Sequence, residues 1–268
     1  MYTREVKRFL EAAKGSEVFC FDTETTGLSA EKNDIIEFSA IRYHYDGESF
    51  KELDSLDIYI NPGYTIPEEI TQITGITNEK IATDGVSQAE AAERIVAYFG
   101  TNPFCMGYNS VSFDQKFVNA FFLKTGHPGF NPQAHLDVLK MARCKMPKPH
   151  KLGDMVQAAG LPDKFNLHTS IDDAKATFGV FEFLLTKFDL STPVAAFEIK
   201  TIAPWKRSEL LNRIYVNNSL NAPVYYDVAK GCWFFPDWMN EEDAKTSIYS
   251  FSKTASDEEF VKKYAFVS

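Results

Sequence analysis

Two carboxylates follow a short apolar run near the beginning of the sequence. The run Val18–Phe21 leads into Asp22, Thr23 and Glu24, and a turn follows at Gly27. Because a strand places alternate residues on one face, Asp22 and Glu24 project together and Thr23 points the other way. Two neighbouring like charges repel, and a divalent metal ion held by oxygen ligands is the usual compensation. The alternative is a solvated strand end, so a metal site needs further ligands.

Two later stretches supply those ligands. Asn109 and Asp114 lie where a predicted strand gives way to a helix, and His168 and Asp173 lie at the start of the last long predicted helix. Each residue also has a simpler interpretation. Asp114 could complement a helix dipole, Asn109 could cap a turn, and His168 could be a surface residue. Taken together, the three stretches predict a site of four carboxylates and one imidazole.

The three stretches resemble, in order, the motifs of the DEDD superfamily of 3′–5′ exonucleases, in its histidine-bearing DnaQ-like branch. That branch includes the proofreading epsilon subunit of bacterial DNA polymerase III. The motifs are Phe-Asp-Thr-Glu-Thr-Thr-Gly at 21–27, Asn-x3-Phe-Asp at 109–114 and His-x4-Asp at 168–173. The resemblance covers about residues 16–188. It implies a ribonuclease-H-like fold and hydrolysis of the terminal phosphodiester of a nucleic acid to release nucleoside 5′-monophosphates.

The resemblance also implies two divalent ions, Mg²⁺ or Mn²⁺, bound by the four carboxylates. Two such ions can bind a scissile phosphate, activate a water molecule and stabilise the leaving oxygen. Asp22 is expected to bridge them, Glu24 and Asp173 to complete one site, and Asp114 to lie outside the direct ligands of the other. His168 is the expected general base, since the ordinary pKa of histidine lies near neutral pH.

Substrate contacts follow from the same resemblance. Five residues are expected to bind the terminal nucleotides: Thr25, Leu28, Ile73, Asn109 and Phe113. Core packing is the alternative interpretation of Leu28 and Phe113. Thr74 stands where some relatives carry a histidine, so the sequence leaves the choice between DNA and RNA open, with DNA favoured.

The order of predicted elements indicates how these residues are positioned. Three strands come first, and helices and two further strands then alternate up to a long helix at about 170–187. This order predicts an α/β fold, with a five-stranded mixed sheet flanked by helices. The pattern breaks near Asp189, so we expect an exonuclease domain at 1–190. Residues 191–268 are predicted to form a small α+β module of unknown role, with a hairpin at 222–235 and two closing helices.

The composition limits the compartment and the binding partners that we expect for this protein. The formal net charge is −9, and the sequence pI near 5.1 argues against nucleic-acid binding by bulk electrostatics. The 4 cysteines form no Cys-x-x-Cys pair, which is typical of a reducing compartment. No run is long and apolar enough to span a bilayer. The sequence therefore predicts a cytoplasmic protein without a membrane partner, which acts on single-stranded or frayed 3′ ends and has a possible polymerase partner.

Several alternatives remain open on the sequence alone. The same fold could serve as a non-catalytic nucleic-acid-binding module. An exoribonuclease that trims RNA would carry the same motifs. A phosphotransferase or phosphatase that uses Asp22 as nucleophile is a further possibility, but the acid two residues along is then usually Asp and not Glu24, and His168 would have no part. Finally, the tyrosines and tryptophans after residue 194 could stack on bases, although the core of a small β module explains them more simply.

Overall fold

The protein is described from a computed structural model. The structure describes residues 2–161, 165 and 169–188, together with five strands beyond them at 196–199, 214–217, 222–227, 232–234 and 266–267. These residues divide into two compact units. The larger unit comprises Val6–Leu139 and Lys151–Leu185, and the smaller comprises Met1–Glu5, Lys140–His150 and Thr186–Ser268. The predicted domain boundary at residue 190 stays a prediction.

A six-stranded mixed sheet forms the centre of the larger unit, in the order β4-β3-β2-β1-β5-β6. The strands are β1 (Ser16–Thr25), β2 (Ile35–Tyr45), β3 (Phe50–Asn61), β4 (Val86–Ser87), β5 (Phe104–Gly107) and β6 (Ala134–Asp137). β1 pairs antiparallel with β2, and β2 pairs antiparallel with β3. The remaining neighbours are parallel. The predicted α/β fold with a mixed sheet is therefore confirmed, but the predicted number of five strands is wrong, since the short strand β4 adds a sixth.

Eight helices accompany the strands in the part of the chain that the structure describes. They are α1 (Tyr2–Ala13), α2 (Glu68–Thr74), α3 (Asn78–Asp84), α4 (Gln88–Phe99), α5 (Asp114–Lys124), α6 (Val138–Lys145), α7 (Leu152–Ala158) and α8 (Ser170–Leu185). Within the larger unit, the two short elements α3 and β4 were not predicted. β4 has only two residues, which is too few to show an alternating pattern, and it pairs with the end of β3 at Ile60 and Asn61.

Local signals explain where the predicted elements begin and end. Asp46 accepts backbone hydrogen bonds from Glu48 and Ser49, and so closes the β2–β3 hairpin. Gly75 ends α2 in the left-handed conformation, at a φ of 73°. Ser87 caps α4 by accepting a hydrogen bond from the Glu90 amide. Thr77 caps α3 in the same way through the Lys80 amide, a signal from which α3 could have been predicted.

An aromatic core fills one side of the sheet. Phe21 and Phe38 project from β1 and β2, and both are fully buried. The Phe99 ring of α4 meets the Phe21 ring edge-on at 5.7 Å and the Phe38 ring at 5.6 Å. Phe130 stacks on Phe99 at 5.1 Å. Because these rings pack behind the end of β1 that carries Asp22 and Glu24, the strand has little freedom to shift.

The smaller unit contains a five-stranded sheet, in the order β11-β7-β10-β9-β8. Its strands are β7 (Ala196–Ile199), β8 (Ile214–Asn217), β9 (Ala222–Asp227), β10 (Cys232–Phe234) and β11 (Phe266–Val267). β9 and β10 pair antiparallel, as the predicted hairpin at 222–235 requires. The two predicted closing helices of this region fall outside the described residues. Within the described residues, no helix is long and apolar enough to cross a membrane.

We expect Phe38→Ala to lower the free energy of unfolding by about 3–5 kcal/mol, because it leaves a cavity among packed rings. Urea unfolding followed by circular dichroism measures this change. The control is Leu123→Ala on α5, whose side chain is 59% exposed, and its expected effect is about 0.5 kcal/mol or less. Equal effects of the two substitutions would contradict the placement of Phe38 in the core.

Candidate active site

Three carboxylates converge at the end of β1. Asp22 and Glu24 lie on one face of β1, and Asp173 lies in the first turn of α8. Each offers a carboxylate oxygen, and these oxygens all lie within 4.8 Å of one another. Three carboxylate oxygens this close together could hold one Mg²⁺ or Mn²⁺ ion, because both ions prefer oxygen ligands. We refer to Asp22, Glu24 and Asp173 as the carboxylate cluster.

The packing of α8 on the sheet brings Asp173 to this position. The Cys20 thiol of β1 donates a 3.2 Å hydrogen bond to the carbonyl of Ala174. Ala174 follows Asp173 directly, and it is fully buried. Further along, the Phe178 ring of α8 stacks on the Tyr43 ring of β2, with 3.7 Å between the ring centroids. The helix is therefore fixed against β1 and β2 on the face that carries Asp22 and Glu24.

The fourth predicted carboxylate, Asp114, reaches the same strand from α5. Its Oδ1 atom accepts hydrogen bonds from the Thr23 amide at 3.1 Å and from the Thr23 hydroxyl at 2.5 Å. Thr23 lies between Asp22 and Glu24 and points to the opposite face, as the strand period requires. Asp114 is 3% exposed and is not a member of the carboxylate cluster. The part assigned to Asp114 in metal binding stays a prediction.

Burial and neighbouring negative charges raise the pKa values of Asp22, Glu24 and Asp114. Burial is the main reason for the raised pKa of Asp22, and the charges of Asp114, Asp173 and Glu24 raise it further. Glu24 has a pKa of about 8, again mainly through burial and then through the charges of Glu37 and Asp173. Burial also raises the pKa of Asp114, while its hydrogen bonds from Thr23 oppose the rise. A bound cation would relieve this repulsion, so the donor set fits a divalent metal.

Sequence reasoning missed one acidic residue beside the cluster, Glu37 of β2. It lies directly opposite Glu24 in the β1–β2 register and is 1% exposed. The sequence did contain a signal, since Glu37 interrupts an apolar run between Ile36 and Phe38. A charged residue inside such a run is seldom fully buried without a partner. The carboxylates around β1 are therefore more numerous than the motifs predict.

The predicted substrate residues occupy different environments. Leu28 is 89% exposed and Ile73 is 68% exposed, which excludes core packing for Leu28. Phe113 is half-buried, and its ring lies 4.9 Å from the Phe117 ring. The Thr25 hydroxyl donates to the Gly27 carbonyl at 2.7 Å. Asn109 is exposed and has a positive φ of 61° at the turn that leads into α5. Their contacts with substrate remain predictions.

The predicted general base, His168, lies outside the described residues. The nearest described residue is Thr169, whose carbonyl accepts the Asp173 amide at 2.9 Å at the beginning of α8. The part assigned to His168 therefore stays a prediction.

The carboxylate cluster on a mixed α/β sheet is the arrangement expected of an exonuclease domain. The chain belongs to the Exonuclease family: the family model RNase_T matches residues 19–181, which is more than half of the chain. The predicted membership in the DnaQ-like superfamily and the predicted exonuclease class are confirmed. The matched range includes all five motif residues of the predicted site.

Two bacterial relatives are similar to this chain, and both are DNA polymerase III of the PolC type. The protein of Lactococcus lactis is 33% identical over 166 residues, which is 59% of this chain and 9% of that protein. The protein of Streptococcus pneumoniae is 32% identical over 213 residues, which is 75% of this chain and 14% of that protein. The chain thus spans a small fraction of the length of the curated relatives it matches.

Solved structures of E. coli Exonuclease I share the fold. The structure in complex with a dT13 oligonucleotide has a TM-score of 0.61 and 17% sequence identity, and the match covers 92% of this chain and 73% of that chain. A second structure, in complex with a 5cy-dT13 oligonucleotide, has a TM-score of 0.56 and 21% identity. There the match covers 65% of this chain and 41% of that chain.

We expect the metal-free protein to lose stability as the pH rises from about 4.5 to about 8. A carboxyl whose pKa is raised on folding, as in Glu24, contributes its full stability below its unfolded pKa of 4.5 and loses it as the pH passes the folded value of about 8. Divalent ions bind the ionised form. Mg²⁺ should therefore raise the unfolding temperature more at pH 8 than at pH 5.

Differential scanning fluorimetry with EDTA or Mg²⁺ measures these shifts. The matched control is Glu24→Gln, which removes one titrating group of the cluster. It should weaken both the pH dependence in EDTA and the stabilisation by Mg²⁺. A stability that rises with pH in EDTA, or a Mg²⁺ effect that is larger at pH 5, would contradict the raised pKa values.

Proposed function

We propose that this chain is a metal-dependent 3′–5′ exonuclease that hydrolyses the terminal phosphodiester of DNA and releases nucleoside 5′-monophosphates. The observation that carries the proposal is the carboxylate cluster, whose oxygens lie within 4.8 Å at the end of β1 in a chain of the Exonuclease family. DNA is the preferred substrate class because the PolC-type relatives are DNA polymerases and Exonuclease I has been solved with oligonucleotides of deoxythymidine.

In this proposal the protein's side chains bind the divalent ions and orient the substrate. Asp22, Glu24 and Asp173 would hold one divalent ion, and Asp114, anchored by Thr23, would support a second through Asp22. Bound ions of this kind neutralise the scissile phosphate and lower the pKa of a water molecule. His168 would accept the proton of that water as it attacks. Exposed Leu28 and Ile73 would contact the terminal bases, and Thr25 the terminal nucleotide, with Asn109 and Phe113 beside them.

The same proposal includes a partner class, a form of the substrate and a cellular location. Since the relatives are polymerases of which this chain spans a small part, a polymerase is the proposed partner class, and single-stranded or frayed 3′ ends are the proposed form of the substrate. The cytoplasm is the proposed location. Residues 1–190 would form an exonuclease domain, and residues 191–268 an accessory module.

We expect Asp22→Ala and Asp173→Ala each to lower the rate of hydrolysis about a thousandfold or more, because several kcal/mol of charge stabilisation is lost. The matched control is Asp172→Asn, which changes the neighbouring acidic residue on α8 and should stay within about threefold of wild type. The measurement follows 5′-labelled single-stranded DNA and RNA with Mg²⁺, Mn²⁺ or EDTA.

A ladder that shortens from the 3′ end, requires the metal and forms faster with DNA is the expected result. A 5′-labelled mononucleotide released at once would indicate the opposite polarity. Retained hydrolysis in both alanine variants would refute the metal assignment. No cleavage by folded wild-type protein with either metal would favour the nucleic-acid-binding module instead.

We expect His168→Ala to retain Mn²⁺ binding but to lose about a hundredfold to ten-thousandfold in turnover, since a positioned general base contributes about that much. Single-turnover rates across pH 5.5–9 measure the effect, and the wild-type rate should fall on the acid side as the imidazole becomes protonated. The variant should lose that acid limb. A variant with the wild-type rate and the wild-type pH profile would remove His168 as the base.

A further inference from the structure

Glu37 is a buried carboxylate that no motif contains. It lies on β2, directly opposite Glu24, with 1% of its surface exposed. Its charge is the largest electrostatic contribution to the raised pKa of Glu24, so it adds repulsion to a site that is already acidic. Burial of a carboxylate is costly unless its oxygens accept hydrogen bonds. The contacts of Glu37 therefore indicate what offsets this cost.

The carboxylate of Glu37 binds the beginning of α8. Its Oε2 atom accepts a 3.2 Å hydrogen bond from the amide of Ser170, the first residue of that helix. The first amides of a helix have no partner within the helix, and their partial positive charge favours an anion. Glu37 and Ser170 are 133 residues apart in the chain, and both are buried. The contact therefore joins β2 to α8 at one defined point.

Hydroxyl groups extend this contact across the sheet. The Ser170 hydroxyl donates to the hydroxyl of Ser39, which in turn donates to Asp57 at 2.7 Å. In the strand registers Ser39 lies opposite Asp22 and also opposite Asp57. Glu37 and Ser39 of β2 thus meet the start of α8 on the face that carries Asp22 and Glu24, and Asp57 of β3 supports Ser39. We call Glu37, Ser39, Asp57 and Ser170 the anchor group.

The anchor group lies one helical turn from a metal ligand. Asp173 follows Ser170 by three residues, a rise of about 4.5 Å along the helix axis. A displacement at Ser170 therefore moves the Asp173 carboxylate by a similar amount. Metal sites tolerate errors of only about 0.5 Å in their ligands. The other carboxylates of the cluster repel Asp173, so α8 needs a contact that holds its first turn close to β1.

We propose that Glu37 is a positioning residue of the metal site, which holds the first turn of α8 through the Ser170 amide and so sets the distance of Asp173 from Asp22 and Glu24. This inference rests on the proposed function, since it takes the carboxylate cluster as a metal site. Glu37 acts through α8 and does not touch the metal or the substrate.

Two pairs of variants distinguish an effect on the position of α8 from an effect of the Glu37 charge. Glu37→Ala removes the acceptor, whereas Glu37→Gln removes the charge but keeps a carbonyl oxygen in the same place. Ser170→Pro removes the donor amide at the first helical position, where proline fits. Ser170→Ala removes only the hydroxyl and keeps the amide. If Glu37 positions α8, the two variants of each pair should differ in their affinity for Mn²⁺.

The first measurement is Mn²⁺ binding to the full metal-free chain by isothermal titration calorimetry. We expect Glu37→Ala and Ser170→Pro each to weaken binding about tenfold or more, which is typical when the partner of a metal ligand is lost. Glu37→Gln and Ser170→Ala should stay within about threefold of wild type. Wild-type affinity in Glu37→Ala would overturn the inference, as would a loss in Glu37→Gln equal to that in Glu37→Ala.

Circular dichroism shows whether each variant is folded. If Glu37→Ala does not fold, the Ser170 pair decides, and equal affinities of its two variants would overturn the inference. Two other results would contradict the proposed function itself: no Mn²⁺ binding by the wild type, or DNA hydrolysis by Asp173→Ala at the wild-type rate. In either case the inference about Glu37 fails as well. A different outcome would overturn only the positioning role of Glu37. In that outcome the wild-type protein hydrolyses DNA, and Glu37→Ala binds Mn²⁺ with the wild-type affinity.

Discussion

Electrostatic repulsion among closely placed, half-buried carboxylates is the constraint on which the rest of this structure depends. Asp22, Glu24 and Asp173 bring their oxygens within 4.8 Å of one another, and Glu37 and Asp114 add further negative charge nearby. No single element would hold such a group together. The rest of the larger unit supplies the compensation, through a rigid aromatic core behind β1 and through helices fixed to it on both faces.

Each face of β1 holds one helix by a different chemical contact. On one face, α8 is held by the Cys20 thiol of β1 and by the Glu37 carboxylate of the neighbouring strand β2. On the other face, α5 is held by Asp114, which accepts both hydrogen bonds of Thr23. Alternation of side chains along β1 thus separates Asp22 and Glu24 of the carboxylate cluster from Thr23, which contacts Asp114. The one-residue step between Asp22 and Thr23 decides which helix each residue meets.

Much of this arrangement could be predicted from the sequence, because strong local signals coincide with the motifs. The alternation of side chains along a strand placed Asp22 and Glu24 on the same face. Asp46 and Gly47 marked the hairpin, and Ser87 marked the start of α4. The sequence could not give the depth of burial at Glu37 or its contact with Ser170. Both depend on the register between β1 and β2 and on the packing of a helix more than 130 residues away.

The docking of α8 has a consequence for synthesis. Asp22 is among the first residues of the sheet to be made, whereas Asp173 lies in the last helix of the larger unit. The contact between Cys20 and Ala174 joins residues 154 positions apart, so it forms only after nearly the whole unit has left the ribosome. A nascent chain therefore has no complete carboxylate cluster until its fold is almost finished. Assembly of the cluster from both ends of the unit makes it a direct report of completed folding.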